Sequence, residues 1–221
     1  IYNSTSGEEV WNVTSQINWY RHKSVSWSPD GLKLAATIYD TVYIYNVSSQ
    51  KEIRNIPSNS DGFTHISSVS FSPDGTRLAY CSHFGESYLS RVNDGVLLWK
   101  ITYDLYSSCT GIVWSPDSQR IATSYSNTGD HASAVVVQDA NDGSMVDRIG
   151  ALRPVSCEGL PTITYLSNNC GIVDGLDWNN NGSYILHSVS GYNAGVYHWY
   201  FYNNLEVIFG CTVESATNYN P

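Results

Sequence analysis

Short stretches of alternating apolar and polar residues run the length of the chain, and none holds a helical apolar period over a useful length. Leu32-Lys33-Leu34-Ala35 and Thr76-Arg77-Leu78-Ala79-Tyr80 each alternate directly after a Pro-Asp-Gly turn, the pattern of half-buried strands. β-Branched and aromatic runs follow at Val42-Tyr43-Ile44-Tyr45, Val96-Leu97-Leu98-Trp99, Val135-Val136-Val137 and Val196-Tyr197-His198-Trp199. These read as the third strands of a repeating unit. Turn signals such as Asn141-Asp142-Gly143 and Asn203-Asn204 come after them.

The strands repeat. Val25-Ser26-Trp27-Ser28-Pro29-Asp30-Gly31, Val69-Ser70-Phe71-Ser72-Pro73-Asp74-Gly75 and Ile112-Val113-Trp114-Ser115-Pro116-Asp117-Ser118 align without gaps. Leu176-Asp177-Trp178-Asn179-Asn180-Asn181-Gly182 keeps the aromatic and the turn. The aromatics at 27, 71, 114 and 178 are separated by 44, 43 and 64 residues. A partial copy opens the chain: Ile1-Tyr2-Asn3 with Ser6-Gly7-Glu8-Glu9-Val10 matches Ile44-Tyr45-Asn46 with Ser49-Gln50-Lys51-Glu52-Ile53, 43 residues on. A period of about 43 residues is that of four-stranded propeller blades, which cannot bury both faces alone and so stack on one another.

The Ser-Pro-Asp-Gly turn after a Val-x-aromatic strand resembles the WD-repeat family over nearly the whole chain. That resemblance implies an all-β propeller of four-stranded antiparallel blades, about four and a half of them present. Residues 1–221 are then one propeller domain or part of a larger one. Its blades fall at 1–16 (partial), 17–60, 61–107, 108–150 and 171–212, with an inserted loop at 151–170. First strands are expected at 23–28, 67–72, 110–115 and 173–178, with Trp27, Phe71, Trp114 and Trp178 buried between blades. The family's Trp-Asp dipeptide is replaced, at Tyr2-Asn3, Tyr45-Asn46, Trp99-Lys100, Val137-Gln138 and Trp199-Tyr200. His22 and His65 therefore read as loop residues rather than as members of the family's Asp–His–Ser network. The same turns also resemble propellers attached to secreted peptidases and periplasmic proteins.

In such blades the loops alternate between two rims. The long loops, 82–94, 124–133 and the 21-residue excess between Arg148 and Val173, all fall on the rim called the top here. Elaborated loops on a rigid scaffold collect binding residues. The candidates are His83, Phe84, Tyr88, Arg91 and His131. The five cysteines also group near the top. Cys157 and Cys170 enclose a loop with little to pack and are expected to form a disulfide, with a possible second between Cys81 and Cys109. Sequons stand at Asn3, Asn12, Asn46 and Asn181 and are glycosylation candidates. Their number is what chance yields in a chain this rich in Asn, Ser and Thr.

A net charge of −9 repels phosphate backbones and argues against nucleic-acid binding. No apolar run approaches the length of a membrane span. The chain holds no Gly-x-Ser-x-Gly elbow, His-Glu-x-x-His helix, phosphate-binding Gly-Lys-Ser loop or Cys-x-x-Cys pair. No catalytic, cofactor or metal residue is assigned. The aromatic-dense last blade, around Tyr197 and Trp199, reads as packing.

The reading is a non-catalytic structural or protein-interaction propeller, part of a larger extracellular or cell-surface assembly or filament, carrying a disulfide and glycans. The alternatives are the propeller of a larger secreted enzyme such as a peptidase, and an intracellular WD-repeat scaffold. The opening half-blade lacks inner strands. These are expected from a longer polypeptide or from a neighbouring subunit, and an identical neighbour would propagate head to tail.

Overall fold

A computed structural model of the chain describes residues 1–12, 24–58, 65–103, 107–127, 134–149, 172–190, 197–203 and 206–209. They form 16 strands and, among the described residues, no helix. Blade I comprises β1 (Val25–Trp27), β2 (Lys33–Ile38), β3 (Thr41–Asn46) and β4 (Lys51–Pro57). Blade II comprises β5 (Ile66–Phe71), β6 (Arg77–Ser82), β7 (Glu86–Arg91) and β8 (Leu97–Thr102). Blade III comprises β9 (Ser107–Trp114), β10 (Arg120–Asn127), β11 (Ala134–Asp139) and β12 (Met145–Ile149). Blade IV comprises β13 (Ile172–Trp178), β14 (Tyr184–Ser190), β15 (Tyr197–Asn203) and β16 (Glu206–Phe209). Each blade is a four-stranded antiparallel meander in sequence order. The inner strands pack in the row β1–β5–β9–β13.

The Ser-Pro-Asp-Gly turn is one hydrogen-bonded device repeated. Ser28 Oγ donates to Asp30 Oδ1 at 2.6 Å and accepts the Lys33 N–H at 2.8 Å, while Asp30 Oδ1 accepts the Leu32 N–H at 2.9 Å. Blades II and III repeat it with Ser72 and Asp74, then Ser115 and Asp117. Blade IV builds it from amides: Asn179 Oδ1 accepts the Tyr184 N–H at 2.8 Å and Asn181 Oδ1 the Ser183 N–H at 3.0 Å. Asn can replace both the hydroxyl and the carboxylate because its side-chain carbonyl accepts the same N–H groups. The residue closing each turn has positive φ: 69° at Gly31, 72° at Gly75, 60° at Ser118 and 76° at Gly182.

Alternation along the second strand divides the core between blades. Leu78 and Tyr80 share a cluster with Ala35, Val42 and Ile44 of blade I, whereas Ala79 and Cys81 pack with Ile112, Trp114 and Ile121 of blade III. The pairs Leu34-Ala35, Leu78-Ala79 and Ile121-Ala122 recur at one register position. Each alanine shares its cluster with the inner-strand aromatic of the next blade: Phe71, Trp114 and Trp178 respectively. The small residue leaves room for the ring. Burying such a ring contributes roughly 3 kcal/mol. Polar contacts lace the same seams. Ser24 and Ser26 accept the Val69 and Phe71 N–H groups at 3.2 and 3.0 Å, and Trp114 Nε1 donates to the Ser70 carbonyl at 3.1 Å. Arg77 donates to the Ser118 and Ala140 carbonyls and lies 5.0 Å from the Trp114 ring.

Four expectations need correction. Phe71 and Trp114 are buried at 6% exposure each, but Trp27 is 48% exposed, because no described residue of a preceding blade stands against β1. Trp178 is half-buried, with its Nε1 donating to the Gly182 carbonyl of its own turn. In blade II the third strand is β7, and Leu97–Trp99 of the apolar run belong to the outer strand β8, so 82–94 is no long loop. Seryl and tyrosyl residues hid a buried strand: Ser87 pairs with Tyr125 across the seam, Ser90 with Tyr80, and Tyr88 with Glu86. Likewise β10 extends to Asn127, so 124–127 is strand. The 151–170 insertion, with Cys157 and Cys170, lies outside the described residues, as do His22, His131 and Cys211.

The turns yield a steric prediction. Gly31 and Gly143 both have positive φ, but a Cβ at Gly31 meets nothing within 4 Å while one at Gly143 comes 2.9 Å from Trp99 Cδ2. Gly31→Ala is expected to destabilise by about 1 kcal/mol through backbone strain alone. Gly143→Ala should destabilise distinctly more, read as the difference in urea midpoints at equal slope. The turn carboxylates yield a second. The Ser28 and Ser115 hydroxyls, then backbone N–H groups, lower the Asp30 and Asp117 pKa values. At Asp74 burial opposes the shift, but hydrogen bonds from Ser72 and Thr76 outweigh it. Folded values below unfolded ones mean that this stabilisation is present above the unfolded value of 3.8 and is lost as pH falls through the folded values. Thermal melts in that acid range should therefore show stability falling with pH, and less steeply in Asp117→Asn.

Candidate functional site

The top rim joins blades II and III. Cys81 on β6 and Cys109 on β9 form a disulfide with Cα atoms 5.9 Å apart, so the covalent link crosses the seam between blades. The sequence alone put this pair second to Cys157–Cys170. Beside it, the β6–β7 turn presents His83 and Phe84. His83 Nδ1 lies 2.7 Å from Ser108 Oγ, and the His83 N–H donates to the His65 carbonyl at 2.8 Å. Phe84 is 42% exposed. His65 makes an edge contact with Tyr39 at 4.6 Å, which extends this polar-aromatic strip onto blade I.

Behind the turn sits a charged pair. Glu86 Oε1 is 2.7 Å from Lys100 Nζ, and Glu86 Oε2 accepts from Tyr88 at 2.5 Å and from Ser82 at 3.1 Å. Burial pushes the Glu86 pKa up, but hydrogen bonds from Lys100 and Tyr88 and the Lys100 charge outweigh it, so the carboxyl is held low. Burial, then the Glu86 carboxylate, raises the Tyr88 phenol. Tyr80, stacked on Tyr88 at 4.9 Å, is pushed up to about 12 by burial. These groups have matched partners and stabilise the strand pair. Among the described residues, no three His, Cys, Asp or Glu side chains gather as a metal site.

The five top-face candidates thus separate. His83 and Phe84 are at the top rim. Tyr88 is fully buried inside β7, and Arg91 stands at the opposite end of that strand, on the bottom rim. His131 lies outside the described residues. Tyr88 and Arg91 were misassigned because a strand was read as a loop. Of the sequon residues, Asn3 and Asn46 cap equivalent hairpins by accepting N–H bonds from Thr5 and Ser6, and from Ser49. Asn12 bonds the Glu9 carboxylate, and Asn181 belongs to the β13–β14 turn.

The missing inner strands expected of the opening half-blade leave one side of blade I bare among the described residues, and with it Trp27, which the sequence placed in a seam. Ser26 faces blade II, so Val25 and Trp27, its neighbours in a strand, face the other way, at 63% and 48% exposure. The outer part of that side is covered. Trp11 packs on Tyr45 at 5.4 Å, and the Tyr2–Glu9 bridge reproduces the Tyr45–Glu52 pairing of blade I. Residues 1–12 thus hold the hairpin end of a preceding blade, and among the described residues no inner strand of that blade lies beside β1. The equivalent side of β9 is closed by blade II, which receives Trp114.

This arrangement of sequential four-stranded meanders packed face to face is a β-propeller. Residues 51–85 match the model of the WD domain, G-beta repeat, running from β4 of blade I to the turn before β7 of blade II. Over that stretch the chain is similar to the WD repeat, and the arrangement of its blades is that of a propeller. It is similar in fold to a chain of Kuenenia stuttgartiensis hydrazine synthase, with a TM-score of 0.63 and 14% identity over 83% of this chain and 51% of that one. It spans about half the length of that relative, and at this identity the likeness speaks for the fold alone.

The disulfide links residues 28 apart in sequence, for which loop closure in the unfolded chain corresponds to about 3–4 kcal/mol. Reduction, or Cys81→Ser with Cys109→Ser, is expected to lower Tm by roughly 10 °C in calorimetry. Non-reducing peptide mapping should recover the crosslinked Cys81–Cys109 peptide.

Proposed function

We propose that the chain is a non-catalytic interaction propeller of an extracellular assembly, in which the inner side of blade I seats a further blade, supplied by a longer polypeptide or by a neighbouring copy packed head to tail. The exposure of Trp27 carries this reading. At the equivalent position Trp114 enters the adjacent blade and donates to a backbone carbonyl, and a ring of that size buried there contributes roughly 3 kcal/mol. The occupant that satisfies Trp27 is therefore an inner strand with small side chains and a free carbonyl, as β5 offers Trp114. A patch repeated in one direction makes a heterologous contact and builds rings or filaments. The interblade disulfide supports an oxidising compartment, and the top rim, with His83 and Phe84, offers a separate surface to partners outside the array. The net charge of −9 opposes association at low ionic strength, so salt should favour it.

Light scattering coupled to size exclusion, at rising concentration and physiological salt, tests the assembly. The wild type is expected to form dimers and larger species. Trp27→Glu should remain monomeric with an unchanged far-ultraviolet spectrum, since its side chain supports little within one copy. A wild-type monomer at every concentration would overturn packing against a neighbouring copy.

A further inference from the structure

The bottom rim, opposite His83 and Phe84, carries a second surface. A cleft of about 540 Å³ opens between blades I and II. Lys33 at the start of β2, Arg54 on β4 and Arg91 at the end of β7 line it, and no Asp or Glu does. Ile53 and Val92 give it apolar walls. In a chain of net charge −9, such a concentration of positive charge needs a reason.

The cations are held in place. Arg54 donates through Nη1 to the Asp94 carbonyl at 3.0 Å and through Nη2 to the Asn93 carbonyl at 2.8 Å. Its stem lies against Gly95, where a Cβ would come 3.1 Å from Arg54 Cδ. Asp94 Oδ1 is 3.4 Å from Arg91 Nε, and Asp30 Oδ2 is 3.8 Å from Lys33 Nζ. Both carboxylates flank the cleft without lining it; they orient Lys33 and Arg91 and offset part of their charge, while the Arg54 guanidinium is held by carbonyls alone. Two bonds use only part of the Arg54 guanidinium, whose planar fork of N–H groups matches a carboxylate.

We propose that this cleft is a binding site for an acidic peptide segment, with glutamate carboxylates on Lys33, Arg54 and Arg91 and glutamate stems along Ile53 and Val92. The apolar walls distinguish such a segment from a bare inorganic anion, which would gain nothing from them. The site is separate from the open side of blade I, so its test does not depend on self-assembly. Partner recruitment on the bottom rim would leave the top rim unobstructed.

Fluorescence anisotropy with a labelled hexaglutamate peptide at low ionic strength tests the site in the intact chain. The peptide should bind saturably, and more weakly as salt is raised. Combined Lys33→Gln and Arg91→Gln should weaken binding by about tenfold or more, whereas Lys51→Gln, which removes an exposed cation outside the cleft, should change it less than about twofold. Arg54 is left intact because its bonds hold the β7–β8 turn, and thermal melts verify that both variants fold. Inorganic phosphate should compete poorly. No binding, equal weakening by Lys51→Gln, or phosphate competing as well as a matched glutamate peptide would each overturn the proposal.

Discussion

Every blade has two apolar faces, and no sheet of four strands can bury both by itself. The structure answers with one complementary contact used repeatedly: an alanine on the second strand of one blade and an aromatic ring on the inner strand of the next. Ala35 with Phe71, Ala79 with Trp114 and Ala122 with Trp178 set the spacing of the row and its direction. A directional contact has no natural end. The rule that buries Trp114 at 6% exposure leaves Trp27 at 48%, because among the described residues no inner strand of a preceding blade stands against β1.

The seams are more polar than their packing suggests. Tyr80, Tyr88 and Tyr125 are buried, and burial raises all three phenols, so they act as neutral hydrogen-bonding groups. Their partners are Ser90, Glu86 and Ser87. The Tyr80–Ser90 and Ser87–Tyr125 pairs tie strands within blade II and across its seam with blade III. Between blades II and III, the Arg77 bonds and the Cys81–Cys109 disulfide add to the ring contact. That seam carries the His83–Phe84 turn, which gives the exposed aromatic of the top rim a rigid base.

The two rims divide the chemistry. Among the described residues the top rim is aromatic and polar, and its charge pair, Glu86 with Lys100, is internally matched. The bottom rim holds tight turns whose aspartates accept their own backbone N–H groups, and between two of these turns lies the cationic cleft. Arg91 belongs to that second surface because β7 runs from rim to rim.

Strand positions, blade period and turn chemistry were legible in the sequence, because each depends on residues within a few positions: Ser28 with Asp30, or Gly31 at positive φ. The opening partial repeat was legible too, since Tyr2 pairs with Glu9 as Tyr45 pairs with Glu52. Identity of the third strand in blade II was not. Val96-Leu97-Leu98 is apolar yet exposed on an outer strand, and Glu86-Ser87-Tyr88 is polar yet buried, so local hydrophobicity pointed to the wrong segment. Polar residues can fill a central strand when hydroxyl partners reach across from neighbouring strands, and those partners are up to 38 residues away. The sequence by itself determined which contacts each blade can offer. Only the tertiary structure decided which were used, because burial of Trp27, the pairing of Cys81 with Cys109 and the meeting of Lys33 with Arg54 and Arg91 all depend on which blade stands next to which.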